Sequence, residues 1–368
     1  MDSMFQGNNY KSRYMKTVTS IMISEYIKYE LLSDLTLESF KGSNATKVNI
    51  YIDLYQIMRK LYRSDVIIDY PTALAVGVLN MVAHYRSFYR KYFNCDSRVF
   101  LVYTNNRMIY NEKYYPNYNK AENDKVEYNA NMTNFIVRNM AILREFTKYI
   151  NDVYFVQAPF EVSAMIIKLA EVYGEGNPNI VHSTSKLALQ LPGVMKNTVI
   201  FKHKYMSGEC KAKVIVSPNN IEEFISIDGK NPTENTLSNA RLLNPGMLSL
   251  LMALSGFNSR NIHTLISYTT VLKLLYKLIL EGQIPNSYIF DLSILKYPIE
   301  KLVKNGEEVY KQLQDRFMAV DMLYQSKLYE TSSYFQDNSF MVNLTDPDMI
   351  KSINDNYFRG NPIDVERI

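Results

Sequence analysis

Two rhythms of apolar residues alternate along the chain. Short runs that are largely apolar throughout, Val48-Asn49-Ile50-Tyr51-Ile52-Asp53, Arg98 to Tyr103, Val153 to Val156 and Asn179 to His182, predict strands. Between them lie Leu54 to Tyr62, Ala73 to Phe93, Met132 to Ile150 and Phe160 to Tyr173, whose apolar positions recur three and four apart and predict helices. Strands apolar along their whole length and alternating with helices define an α/β protein, its central sheet mainly parallel and covered by helices on both faces. Such sheets bind ligands at the carboxyl ends of their strands.

Other segments flank or interrupt this unit. Residues 15 to 32 have helical spacing, and Gly42-Ser43-Asn44 closes that segment as a loop. Residues 104 to 131 are rich in Tyr, Asn and Lys without an apolar period, which predicts a mobile loop or arch. Two more short strands are expected at Thr198 to Lys202 and Lys213 to Val216. From Leu237 onward the pattern is helical: Gly246 to Leu254, Val271 to Glu281, Ile299 to Tyr329 and a last piece at Asp346 to Tyr357. The expected organisation is therefore an N-terminal helical extension over 1–46, an α/β domain over 47–236 and a helical C-terminal region over 237–368.

Composition narrows the class without naming a partner. The 368 residues are 47% hydrophobic and 21% charged, which excludes global disorder. Lys+Arg 41 against Asp+Glu 37 leaves +4, too small an excess to indicate nucleic acid by charge alone. Two cysteines, Cys95 and Cys210, support neither a disulfide framework nor a zinc site and suit a reducing compartment. No window approaches the about 18 continuous apolar residues of a membrane helix, and the N-terminus lacks the order of a secretory signal. The expected location is the cytoplasm, that of the host cell if the protein is viral. Abundant Tyr, Asn, Ile, Lys and Met with no Trp fit an AT-rich genome such as that of a phage or other virus.

Several chemistries lack their motifs. There is no GxxxxGK[ST] or GxGxxG loop, His84, His182, His203 and His263 match no metal spacing, and no GxSxG elbow occurs. What remains is the set of residues at the strand ends. Asp53 ends the first strand, Thr104-Asn105-Asn106-Arg107 follows the second, Pro159-Phe160-Glu161 follows the third, and Ser183-Thr184-Ser185 follows the fourth.

In order and local wording these segments resemble the 5′-nuclease superfamily, the flap endonuclease and phage 5′-3′ exonuclease fold related to PIN domains. Ile50-Tyr51-Ile52-Asp53 matches the family's first metal-binding aspartate, and Phe100 to Arg107 matches its second strand. Tyr115-Pro116-Asn117-Tyr118-Asn119-Lys120 matches the segment entering the helical arch. Glu161-Val162-Ser163-Ala164 matches the acidic box, Ser183 to Leu191 the paired-aspartate box, and Gly256 to Ile262 the glycine-aspartate segment. The resemblance runs from Val48 to Ile262 and implies a PIN-like nuclease core, divalent metal and a nucleic-acid substrate.

The sequence departs from that pattern where the chemistry resides. Two-metal hydrolysis needs clustered carboxylates to hold and neutralise two cations. On this alignment Thr104 or Asn105, Ser163, Ala164, Ser185, Leu187, Phe257 and Arg260 stand at acidic positions, leaving Asp53 and Glu161. These two are remnant catalytic or metal residues, or inherited carboxylates hydrogen-bonded at a strand end or helix N-cap. Around the arch, Arg107, Lys113, Tyr115, Tyr118, Lys120 and Lys125 form a basic-aromatic candidate for binding DNA or RNA, diluted by Glu112, Glu122 and Asp124. His263-Thr264-Leu265 replaces the expected continuation of the helix-hairpin-helix, which is therefore eroded.

Three functions remain open. The first is a pseudoenzyme, a non-cleaving nucleic-acid-binding protein or part of a viral nucleic-acid machine, with no cofactor. The second is an active nuclease using Mg²⁺ or Mn²⁺, with acids supplied from elsewhere, for example Asp65, Asp69 or Asp152. The third is a protein-binding subunit of a replication, transcription or virion assembly.

Overall fold

The computed structural model describes residues 46–62, 72–104, 111, 114–118, 130–158, 161–174, 176–183, 185–206, 209–216, 247–284 and 291–328. The expected helices at 15–32 and 346–357, Arg107, Lys113, Lys120, Lys125, Asp65 and Asp69 lie outside these residues.

Among the described residues, six strands form one sheet. They are β1 (Lys47–Asp53), β2 (Asp96–Thr104), β3 (Val153–Ala158), β4 (Asn179–His182), β5 (Thr198–Met206) and β6 (Glu209–Val216), in spatial order β3-β2-β1-β4-β5-β6. The first five are parallel and only β6, at one edge, runs antiparallel to β5. β1 is central, and six of its seven residues are buried.

Side chains of β1 alternate between two cores, as a strand requires. Val48, Ile50 and Ile52 pack with α1 (Leu54–Tyr62), α2 (Ala73–Phe93) and α3 (Ala130–Thr147). Tyr51 faces the opposite core, with α4 (Val162–Tyr173) and the C-terminal helices. After the short α5 (Leu191–Val194), which precedes β5, these are α6 (Leu248–Ser255), α7 (Tyr268–Leu280), α8 (Lys296–Leu302), α9 (Gly306–Val320) and α10 (Met322–Leu328). The C-terminal helices thus share one continuous core with a face of the sheet. α4 shows why: Val162 through Ala170 are all buried, so the helix lies between the strands and the C-terminal helices and has no wet face over that length.

The helix expected over 299–329 is three helices. Gly306 packs so closely on the end of α8 that an added Cβ would stand 2.2 Å from the Glu300 Cα. Asp321 interrupts the next join in an extended conformation and caps α10 by accepting from the Tyr324 N–H at 2.7 Å. Gln190 secures the same corner, donating to the Val320 carbonyl at 2.9 Å and accepting from the Met322 N–H at 3.1 Å.

Candidate functional site

Parallel register brings the carboxyl ends of the central strands level. Ile52 pairs with His182, so Asp53 and Ser183 stand side by side one residue further on. Alternation aims Asp53 to the Tyr51 side, toward the start of α4. The Ser183 hydroxyl donates to Asp53 Oδ2 at 2.8 Å, and the backbone N–H of Gln56, in the first turn of α1, bonds the same carboxylate. Asp53 therefore acts as the N-cap of α1. Only 3% of it is exposed, and this burial pushes its carboxyl up to about 6, against the pull of Ser183 and Gln56. Glu161 adds a smaller upward push and Arg260 a downward one.

Glu161 immediately precedes α4 but does not cap it with its side chain. Both of its oxygens turn to Arg260: Nε donates to Oε1 at 2.6 Å and Nη2 to Oε2 at 3.1 Å. Tyr118 donates its hydroxyl to Oε1 at 2.5 Å, and the Arg260 guanidinium carbon lies 5.9 Å from the Tyr118 ring centroid. Burial alone would weaken the hold of Arg260 on its proton, but the Glu161 carboxylate and Tyr118 outweigh it and the net shift is upward. Burial, then Glu161, drives the Tyr118 hydroxyl well above its usual range.

Backbone geometry delivers Arg260 to this point. Phe257 and Ile262 exchange hydrogen bonds at 2.7 and 3.1 Å across a tight hairpin whose turn contains Arg260. Gly256 enters it at φ 92°, where a Cβ would meet the Thr264 nitrogen at 2.9 Å, so glycine is required there. Asn261, left-handed at φ 59°, donates its side-chain amide to the Asn117 carbonyl at 3.0 Å. The hairpin thus holds residues 115–118 against the rim. Beside it, Arg316 lies over Tyr115, 5.5 Å from the ring centroid, and bonds the His263 carbonyl.

The remaining aligned positions carry no charge. Thr104, Ser163, Ala164, Leu187 and Phe257 are buried, and the Ser185 hydroxyl accepts from the Leu187 N–H at 3.2 Å. Among the described residues, no group of three or more His, Cys, Asp or Glu is placed to hold a metal ion. Asp152 sits at the other end of the sheet, before β3, where the Lys47 ammonium bonds it at 2.8 Å. It cannot supply the rim with an acid.

Sequence and structure part over Tyr118. Expected to stack on nucleic-acid bases, it is 1% exposed with its hydroxyl spent on Glu161, so its ring is not open to a base. Tyr115 remains partly buried under Arg316. Ser183 and Tyr118 as partners of the two carboxylates escaped sequence reading. Their positions 130 and 43 residues from those partners leave no local pattern to find.

No protein-family model and no curated protein matches the chain. Solved structures do. The T5 5′-exonuclease with bound zinc ions matches at a TM-score of 0.55 and 12% identity, over 76% of this chain and 91% of that one. The bacteriophage T5 flap endonuclease, in a pseudo-enzyme–product complex with DNA and metal ions, matches at 0.52 and 11%, over 76% and 90%. The chain has the 5′-nuclease fold. At this identity the likeness is one of fold, and function has to be argued from the rim. Among the described residues, no helix is long and apolar enough to cross a membrane.

Proposed function

We propose that this protein is a non-cleaving member of the 5′-nuclease fold class that binds DNA or RNA, as a component of a viral or phage nucleic-acid machine. One observation carries the reading: at the rim where a two-metal nuclease concentrates carboxylates, Glu161 is closed in a bidentate ion pair with Arg260. Two divalent cations held a few Å apart need several anionic oxygens. Among the described residues, Asp53 and Glu161 are the acids at this rim, both 3% exposed and both occupied by protein donors. The donor set does not fit a two-metal centre, and no hydrolytic step is derived through one.

The binding half of the reading rests on the fold and on the relative solved with DNA. It also draws on the basic-aromatic stretch, of which Arg107, Lys113, Lys120 and Lys125 are the proposed phosphate contacts. With Tyr118 buried, Tyr115 and its neighbours would have to supply any stacking.

The test is incubation of the purified full-length protein with labelled single-stranded and 5′-flap DNA and RNA in Mn²⁺ and in Mg²⁺. Intact substrate is expected in every lane, together with a retarded complex at low salt. Cleavage that disappears in Asp53→Ala would overturn the reading. Absence of both cleavage and binding, with a defined protein co-purifying, would favour a protein-binding subunit instead.

A further inference from the structure

We propose that the Arg260 guanidinium is a built-in counter-cation of the rim, standing where a metal-dependent nuclease would use a divalent ion, and that its hairpin clasps Asn117 and Tyr118 against Glu161. This inference rests on the functional reading above and adds to it a definite relation to metal: nucleic-acid binding by this protein requires no divalent cation.

Arg260 has the chemistry for that position. A guanidinium presents its donors in a planar fork that matches a carboxylate, and it stays charged under all physiological conditions. Its two bonds to Glu161, with the Tyr118 hydroxyl as a third, use most of the acceptor capacity of that carboxylate. Ion-pair side chains only 11% and 4% exposed leave water little part in the arrangement. A metal ion approaching the pair would meet the positive charge of Arg260 at close range in a poorly screened setting. From the described residues it would find one net negative charge at most, since Asp53 and Glu161 together carry two and Arg260 returns one.

The clasp is a separate observation. Asn261, next to Arg260, holds the Asn117 carbonyl, while Tyr118, next to Asn117, reaches the same Glu161 oxygen as Arg260. Two adjacent residues of the hairpin thus hold two adjacent residues of the 115–118 segment, Asn261 holding Asn117 directly and Arg260 sharing the Glu161 carboxylate with Tyr118. A free metal ion could neutralise carboxylates, but it would have no such covalent tie to the hairpin.

The experiment is a Mn²⁺ titration of the full-length protein by isothermal calorimetry, with thermal unfolding in EDTA and in millimolar Mn²⁺. Wild type is expected to give no saturable uptake and the same Tm in both. Arg260→Met, which strips the cation and leaves Asp53 and Glu161 facing each other, is expected to gain saturable Mn²⁺ uptake and a Tm that climbs with Mn²⁺ concentration. Arg260→Lys, which retains a cation, is expected to gain neither. Affinity for a single-stranded oligonucleotide in EDTA is expected to be at least as high as in Mn²⁺, since no bound metal is needed and Mn²⁺ competes as a counterion for the phosphates. Saturable Mn²⁺ uptake by wild type overturns the inference, as does a folded Arg260→Met protein that takes up no more than wild type. If Arg260→Met does not fold, the wild-type titration decides alone. Metal uptake without cleavage defeats only this inference, whereas Mn²⁺-dependent cleavage defeats the functional reading itself.

Discussion

Arg260 and Glu161 illustrate how differently a buried pair behaves when it is broken and when it is replaced. Removing one partner leaves an unpaired charge in the interior, which costs about 3–5 kcal/mol, whereas a well-packed apolar pair in its place can be nearly neutral. Arg260→Met is therefore expected to lower stability by about that amount in urea unfolding, and the double variant Arg260→Met with Glu161→Leu to recover most of it. Tyr118→Phe removes one hydroxyl bond to a carboxylate and is expected to cost about 1.5–3 kcal/mol. An unchanged urea midpoint for Tyr118→Phe would contradict the placement of that hydroxyl. Asp53 makes a prediction of opposite sign. Its carboxyl titrates at about 6 in the folded protein against 3.8 for an ordinary aspartate, so the native state holds this proton more tightly. The resulting stabilisation is full below about pH 4 and is lost as the pH rises through 6. Asp53→Asn mimics the neutral form at every pH. It should match wild type near pH 4 and exceed it above pH 7 by up to about 3 kcal/mol, from a shift of about two units. A difference that does not vary with pH would contradict this. Asp53, Glu161 and Arg260 were legible in the sequence as rim residues because strand ends and a family pattern mark them. Their hydrogen-bond partners were not, because Ser183 and Tyr118 reach them only through tertiary contact.

Strands and helices were legible in proportion to how well their signals were local. Leu54–Tyr62, Ala73–Phe93 and Asn179–His182 lie where the apolar pattern puts them, since each is bounded by a sharp change of period or by polar residues. The C-terminal stretch reads as one helix because apolar spacing continues across both breaks between α8, α9 and α10. What ends α8 is a close approach of backbones at Gly306, and what ends α9 is the extended Asp321, whose side chain starts the next helix. Gly306→Ala tests the first of these. With Cβ distances of 2.2 and 2.8 Å to Glu300 backbone atoms that cannot rotate away, the α8–α9 corner must open. The expected cost is about 1–3 kcal/mol, read as a lower urea midpoint at an unchanged m-value. A midpoint equal to wild type would mean that the corner is looser than the structure has it.

The mainly parallel sheet with helices on both faces was fully legible, because buried parallel strands alternate with helices in an unmistakable order. The union of the C-terminal helices with the sheet was not, since composition does not reveal that α4 is buried on every side over nine residues. That shared core fixes the hairpin carrying Arg260 relative to the strand ends, so the fate of the rim depends on elements about 100 residues apart. The protein has the fold of a 5′-nuclease, and at its rim Glu161 is paired with the chain's own cation, Arg260; phosphate binding is the proposed part of its function. Binding, if it is to phosphates, must weaken steeply with salt, and a halving of affinity or less between low and physiological salt would speak against it. The most direct measurement combines both halves in one tube: fluorescence anisotropy of a labelled 5′-flap oligonucleotide with the full-length protein in Mn²⁺, followed by a denaturing gel of the same sample. A salt-sensitive anisotropy rise with the oligonucleotide recovered at full length is expected, and shortened products that vanish with Asp53→Ala would contradict the proposed function.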